Sequence, residues 1–173
     1  MHSNLKVDNP VDQIVKKNAL IIGLISSALV SCSYIYIWIN EAYTNLSLFF
    51  VIMGIILGLA VFSQIYCKRR LGGFISLKQA VLAFFIVALL SCLAEALTNY
   101  YIFVIHDPAS QDVINAISEA AVLKQKEISN APVTFTKKEF TIGEYVQATL
   151  TKVLFFTVLG IISGFFIKKN PPA

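Results

Sequence analysis

Apolar positions in this chain are concentrated in four long blocks rather than spread along amphipathic stripes. The blocks cover residues 19–39, 46–66, about 81–105 and about 148–167. Each is long enough to cross a hydrocarbon core, which needs about 20 residues of helix. A helix suits that setting because it satisfies its backbone polar groups internally. The pattern predicts an all-α membrane protein with four transmembrane helices, forming a single domain over residues 1–173.

The polar positions between the blocks predict where helices start. Asn9-Pro10 offers an N-cap and a proline at the first helical position. Ser76 with Gln79 reads as a capping box opening the third helix just after Gly72-Gly73, and Thr141 with Glu144 reads the same way for the fourth. The long connection at 106–141 has its own pattern. Asp107-Pro108 can begin a helix, and Ile114, Ile117, Ala121 and Ile128 then recur at helical spacing, with Asn115, Glu119, Lys126 and Glu127 between them. This predicts an amphipathic helix up to Asn130, before Pro132, lying on the outer membrane surface or over the bundle mouth.

Composition agrees with the block pattern: 57% of residues are hydrophobic and 14% charged, where a soluble domain carries roughly a quarter charged. The net charge of +4 is explained by where the cations sit. Lys6, Lys16, Lys17, Lys68, Arg69, Arg70, Lys78, Lys168 and Lys169 all fall on one side of the four-span frame, and the first connection has none. The third connection has four lysines outnumbered by six carboxylates. The positive-inside rule then predicts cytoplasmic termini, a cytoplasmic segment at 1–17 and an outer segment at 106–141. Tyr34, Tyr36, Trp38, Tyr43, Tyr100, Tyr101 and Tyr145 would form an outer aromatic belt. The basic cluster at 68–70 could meet anionic lipid, and no nucleic-acid partner is expected.

The cytoplasmic connection reads "RRLGGFISLKQA". Its glycine pair Gly72-Gly73, aromatic Phe74, Ile75-Ser76, and Gln79-Ala80 opening the third helix resemble the domain-of-unknown-function 4199 family of small four-helix bacterial membrane proteins. The resemblance runs from the first span onward. It implies a multi-pass protein of a bacterial inner membrane and brings with it no catalytic residue, substrate or cofactor.

The remaining chemistry is sparse. The three cysteines, Cys32, Cys67 and Cys92, have no disulfide or metal spacing. "LVSC" at 29–32 fits a lipoprotein cleavage box, but the apolar run continues beyond the cysteine and reads as a retained span. No HExxH, GxSxG or phosphate-binding glycine loop occurs, and the histidines are His2 and His106, the latter read as a structural residue at the interface. No catalytic residue, metal site or cofactor is expected.

Two features point to packing and to a polar face. "GIILG" (Gly54, Gly58) and "GIISG" (Gly160, Gly164) place glycines four apart, a spacing that lets helices approach closely in lipid. Ser26, Ser27, Ser31 and Ser33 give the first helix similar small positions, and Ser31-Cys32 and Ser91-Cys92 hint at an internal echo. In the third span, Ser91, Glu95, Thr98 and Asn99 share one face. Helical rise puts Glu95 about 26 Å above Lys78 and Lys152 about 24 Å above Lys168, with Tyr34 at a similar level. An ionisable group in a membrane is either functional or paired; these heights predict an intramembrane ion pair, Glu95 with Lys152. The function expected is a non-enzymatic scaffold or partner subunit, in contact with lipid and with a homo-oligomeric or membrane-protein partner. The alternative is a small oligomeric transporter or channel component using the polar face around Glu95.

Overall fold

A computed structural model describes residues 10–43, 45–129, 134–138 and 140–169, with backbone only at 127–129. His2, Lys6, the Asn9 cap, Asn130, the Pro132 break and Glu139 lie outside the described residues, as do the side chains of Glu127 and Ile128. The described residues form five α-helices: α1 Pro10–Ile39, α2 Leu46–Arg70, α3 Leu77–Tyr100, α4 Ser110–Ser129 and α5 Ile142–Ile167. A π-helical turn, Tyr101–His106, continues α3. The described residues form no strand beyond a single bridge between Ile75 and Lys169. Four helices, α1, α2, α3 with its π turn, and α5, are long and apolar enough to cross a membrane.

The helix α3 is central and packs against α1, α2 and α5. Its apolar window is 44% buried, against 17–22% for the other three, so those three present most of their side chains outward. Leu24, Phe50, Leu154 and Phe166 are among the large apolar groups so exposed. An apolar exterior of this extent is untenable in water and suited to lipid. Inside, Phe84, Phe156, Ile56 and Val87 anchor the main core, and Val15, Cys67, Ile75 and Ala83 a second one nearer the termini.

The end carrying the termini is knitted together by polar bonds. Gly72 and Gly73 hold φ of 72° and 90°, a left-handed backbone that glycine adopts without steric cost. The chain then turns so that Ile75 pairs with Lys169 through two backbone bonds of 2.9 and 3.0 Å. Ser76 and Gln79 form a complete capping box, and the Gln79 amide also donates to Asp12 at 3.0 Å. Gln64 donates to the carbonyls of Ala80 and Gly160, both at 3.2 Å, joining α2, α3 and α5. Lys68 donates to the Ile167 carbonyl at 2.8 Å, a cation at the negative end of α5. The "GGFISLKQA" motif is thus accounted for by turn geometry, capping and clasping.

The expected glycine contacts divide. A Cβ on Gly160 would lie 2.7 Å from the Phe84 ring, and one on Gly164 3.1 Å from Leu77, so α5 approaches α3 closely at both. Gly54 and Gly58 correct the expectation for contacts within the chain, because a Cβ there meets open space. The reason is rotational: α2 turns Ile52, Ile56, Ala60 and Ser63 inward. Two residues along, about 200° around the helix, brings both glycines to the outside. The close approach of α1 to α3 occurs instead at Gly23, where a Cβ would lie 2.6 Å from Leu90.

Candidate functional site

The α1–α2 turn lies at the end opposite the termini. It is closed by Glu41 at φ 49° and by Asn45, whose side chain accepts from the Ser47 and Leu48 amides. Below it, α1 and α3 run parallel, joined by hydroxyl pairs: Ser91 donates to Ser26 at 2.7 Å and Thr98 to Ser31 at 2.9 Å. These are residues of the polar α3 face, so that face points into the bundle. Cys92 is buried and Cys32 exposed, so the two Ser-Cys pairs do not occupy equivalent environments.

Glu95 is 5% exposed. The Tyr34 hydroxyl donates to its Oε1 at 2.5 Å, and Lys152 Nζ forms an ion pair with the same oxygen. The structure therefore brings Glu95 and Lys152 together, between α3 and α5, and adds a tyrosine from α1. Glu95 Oε2 has no hydrogen-bond partner among the described residues. One turn further on, Asn99 Oδ1 is buried without a hydrogen-bond partner. Lys152 remains 35% exposed along its side chain, so the pair is desolvated on one side only.

These groups line a cavity of about 820 Å³. Its walls combine the polar groups with Ile37, Phe49, Ile52 and Phe103, and its upper rim carries Ile114, Lys138 and Phe140. Toward the termini it is blind: one turn below Ile52, Cys92 and Lys152 lie Ile56, Ala88 and Phe156, each at most 1% exposed.

A second polar group ties the end of α1 to the start of α4. Asp107 accepts from the Trp38 indole at 3.0 Å and from the Ser110 hydroxyl. Donation by Ser110 and then Trp38 holds its carboxyl below the ordinary carboxylate range. Tyr43 donates to Ser110 at 3.4 Å. The π turn frees the Phe103 carbonyl to accept from Gln111 at 2.5 Å, and an insertion of this kind re-aims side chains at functional sites. Asn115 clamps the Lys138 backbone through two bonds, 2.9 and 3.3 Å. Ile114 and Ile117 are half-buried and Ala121 is exposed, so polar bonds do much of the seating of α4. His106 lies edge-on to Trp38 at 5.1 Å. No cluster of metal-ligating side chains occurs among the described residues.

Sequence reasoning reached Glu95, Lys152, Ser91, Thr98 and Asn99 through helical spacing and height. It missed the π turn and the Asn115 clamp. The apolar, β-branched run 102–105 looks like any helix end, and an asparagine in a polar helix carries no signal until Lys138 is brought to it.

A family model described as Protein of unknown function (DUF4199) matches residues 17–169. It takes in the cavity and the motif at the other end, and the chain belongs to that family. No curated protein and no solved structure matches the chain.

Proposed function

We propose that this member of the DUF4199 family is an integral protein of a bacterial inner membrane that acts by binding and not by catalysis, as a scaffold or partner subunit. Both termini are cytoplasmic in this reading, and α4 covers the outer mouth of the bundle. The observation that supports it best is the cavity at the loop end, closed beneath by Ile56, Ala88 and Phe156. Such a shape holds a molecule or a partner segment and offers no path across. Purification from native membranes in mild detergent, followed by mass spectrometry, tests the subunit role. A stoichiometric protein partner supports it, and recovery of the chain alone contradicts it.

A second reading is a small oligomeric transporter or channel component. It is favoured by Glu95 and Lys152, charged groups of a membrane span that line the cavity wall. Ion or solute flux in liposomes containing only this chain would establish it and displace the first.

A further inference from the structure

The hydrogen bonds around Glu95 are lopsided. Both protein donors, Tyr34 and Lys152, use Oε1. Oε2 belongs to a carboxylate that is 95% buried, since Glu95 is 5% exposed, yet has no protein donor among the described residues. Asn99 Oδ1, four residues on and so on the same face of α3, is likewise unpartnered. Both residues line the cavity. Buried polar groups are nearly always hydrogen-bonded; Glu95 Oε2, open to the cavity, and Asn99 Oδ1 beside it, sealed in this structure and reached by a rotation of its amide, together call for a donor in that space. Beside Glu95, Lys152 has three N–H groups, of which one is given to Glu95, and Lys138 also lines the cavity. A simple cation would meet Lys152 and be repelled. A group with a donor cation on one side and an anion on the other meets complementary partners on both.

We infer that the cavity takes a zwitterionic head group in which a primary ammonium lies next to an anion. The ammonium donates to Glu95 Oε2 and Asn99 Oδ1, and the anion faces Lys152 and Lys138. The apolar part of the wall, Phe49, Ile52, Ile37 and Phe103, suits an acyl chain, so an aminophospholipid of the phosphatidylethanolamine type is the source that uses the whole cavity. A free zwitterion of the same chemistry would use only the polar half. The head-group chemistry stands on the contacts alone. The lipid as source rests on the membrane reading proposed above.

The test is native mass spectrometry and thermal melting of the full chain in detergent, with one lipid class added at a time. Phosphatidylethanolamine is expected to bind and raise Tm. Phosphatidylcholine, whose quaternary ammonium has no N–H, and phosphatidylglycerol, which has no cation, are expected to bind at least tenfold more weakly. Equal retention of all three would overturn the inference. Glycerophosphoethanolamine, the head without chains, separates the sources: binding as tight as the lipid's makes the ligand a free zwitterion, and much weaker binding makes it the lipid. Binding of neither overturns the inference. Glu95→Gln should abolish the preference for the ethanolamine lipid; because this variant also disturbs the ion pair, Asn99→Leu is the second probe. That substitution removes an acceptor at similar volume and should lower the preference at least threefold, and an unchanged preference in the folded Asn99→Leu protein contradicts the assignment. Membrane fractionation of the untreated protein reports on the membrane frame independently of every lipid result.

Discussion

Replacing Glu95 by glutamine keeps the shape of the side chain and removes its charge, leaving Lys152 beside a neutral amide. Breaking a buried pair by removing one partner leaves an uncompensated charge, but Lys152 can turn toward the open side of the cavity. The expected loss is therefore modest, about 1–3 kcal/mol, read as a lower Tm in detergent. Tyr34→Phe should cost about 1–2 kcal/mol, since it removes one donor to a charged acceptor. The exchange Glu95→Lys with Lys152→Glu should recover part of the Glu95→Gln loss, and no recovery would mean that the two residues act independently. At the loop end, Asp107 offers a pH test. Its carboxyl is depressed in the folded protein, so the clasp to Trp38 and Ser110 contributes stability above the ordinary carboxylate range, about pH 4. That stability is lost only as pH falls below that range. Trp38 is the only tryptophan, so its fluorescence should hold steady from neutral pH through the ordinary range and change below it. Asp107→Asn should abolish that low-pH step.

Among the elements, the glycine pairs give the sharpest contrast. Gly160→Ala pushes a methyl group into the buried Phe84 ring and should destabilise the bundle by about 1–3 kcal/mol. Gly54→Ala and Gly58→Ala meet open space and should leave the melting temperature of the monomer unchanged or slightly raised. A large loss from Gly54→Ala in a dispersed monomer would contradict the outward orientation of that face. The two motifs look alike in the sequence because spacing alone does not reveal rotation about a helix axis. Rotation was legible for α3, where Ser91, Glu95 and Asn99 mark a polar stripe, and for the caps at Ser76 and Thr141. At Thr141 the hydroxyl accepts from the Glu144 amide at 3.4 Å, one half of the box expected there. The four spans were legible because length and apolarity are properties of the segment itself. The π turn, the Gly23 approach and the Asn115 clamp depend on partners 8–67 residues away, and no local pattern announces them.

For the whole molecule, the two ends differ in kind. The end with the termini is closed by Gln64, Lys68, Gln79 and the Ile75–Lys169 bridge. The loop end holds a cavity, a charged pair and the helix α4, tied down by polar bonds. The cations give the bundle a direction: among the described residues, Lys16, Lys17, Lys68, Arg69, Arg70, Lys78, Lys168 and Lys169 gather at the end with the termini, and the proposed topology makes the loop end the outer face. Cysteine accessibility tests that assignment most directly. Cys32, Cys67 and Cys92 are first replaced by serine, and single cysteines are then placed at positions 3, 43 and 118 of the chain in intact cells. The account predicts that an impermeant maleimide labels positions 43 and 118 from outside and reaches position 3 only after lysis. Labelling of position 3 in intact cells, with 43 and 118 protected, would contradict it.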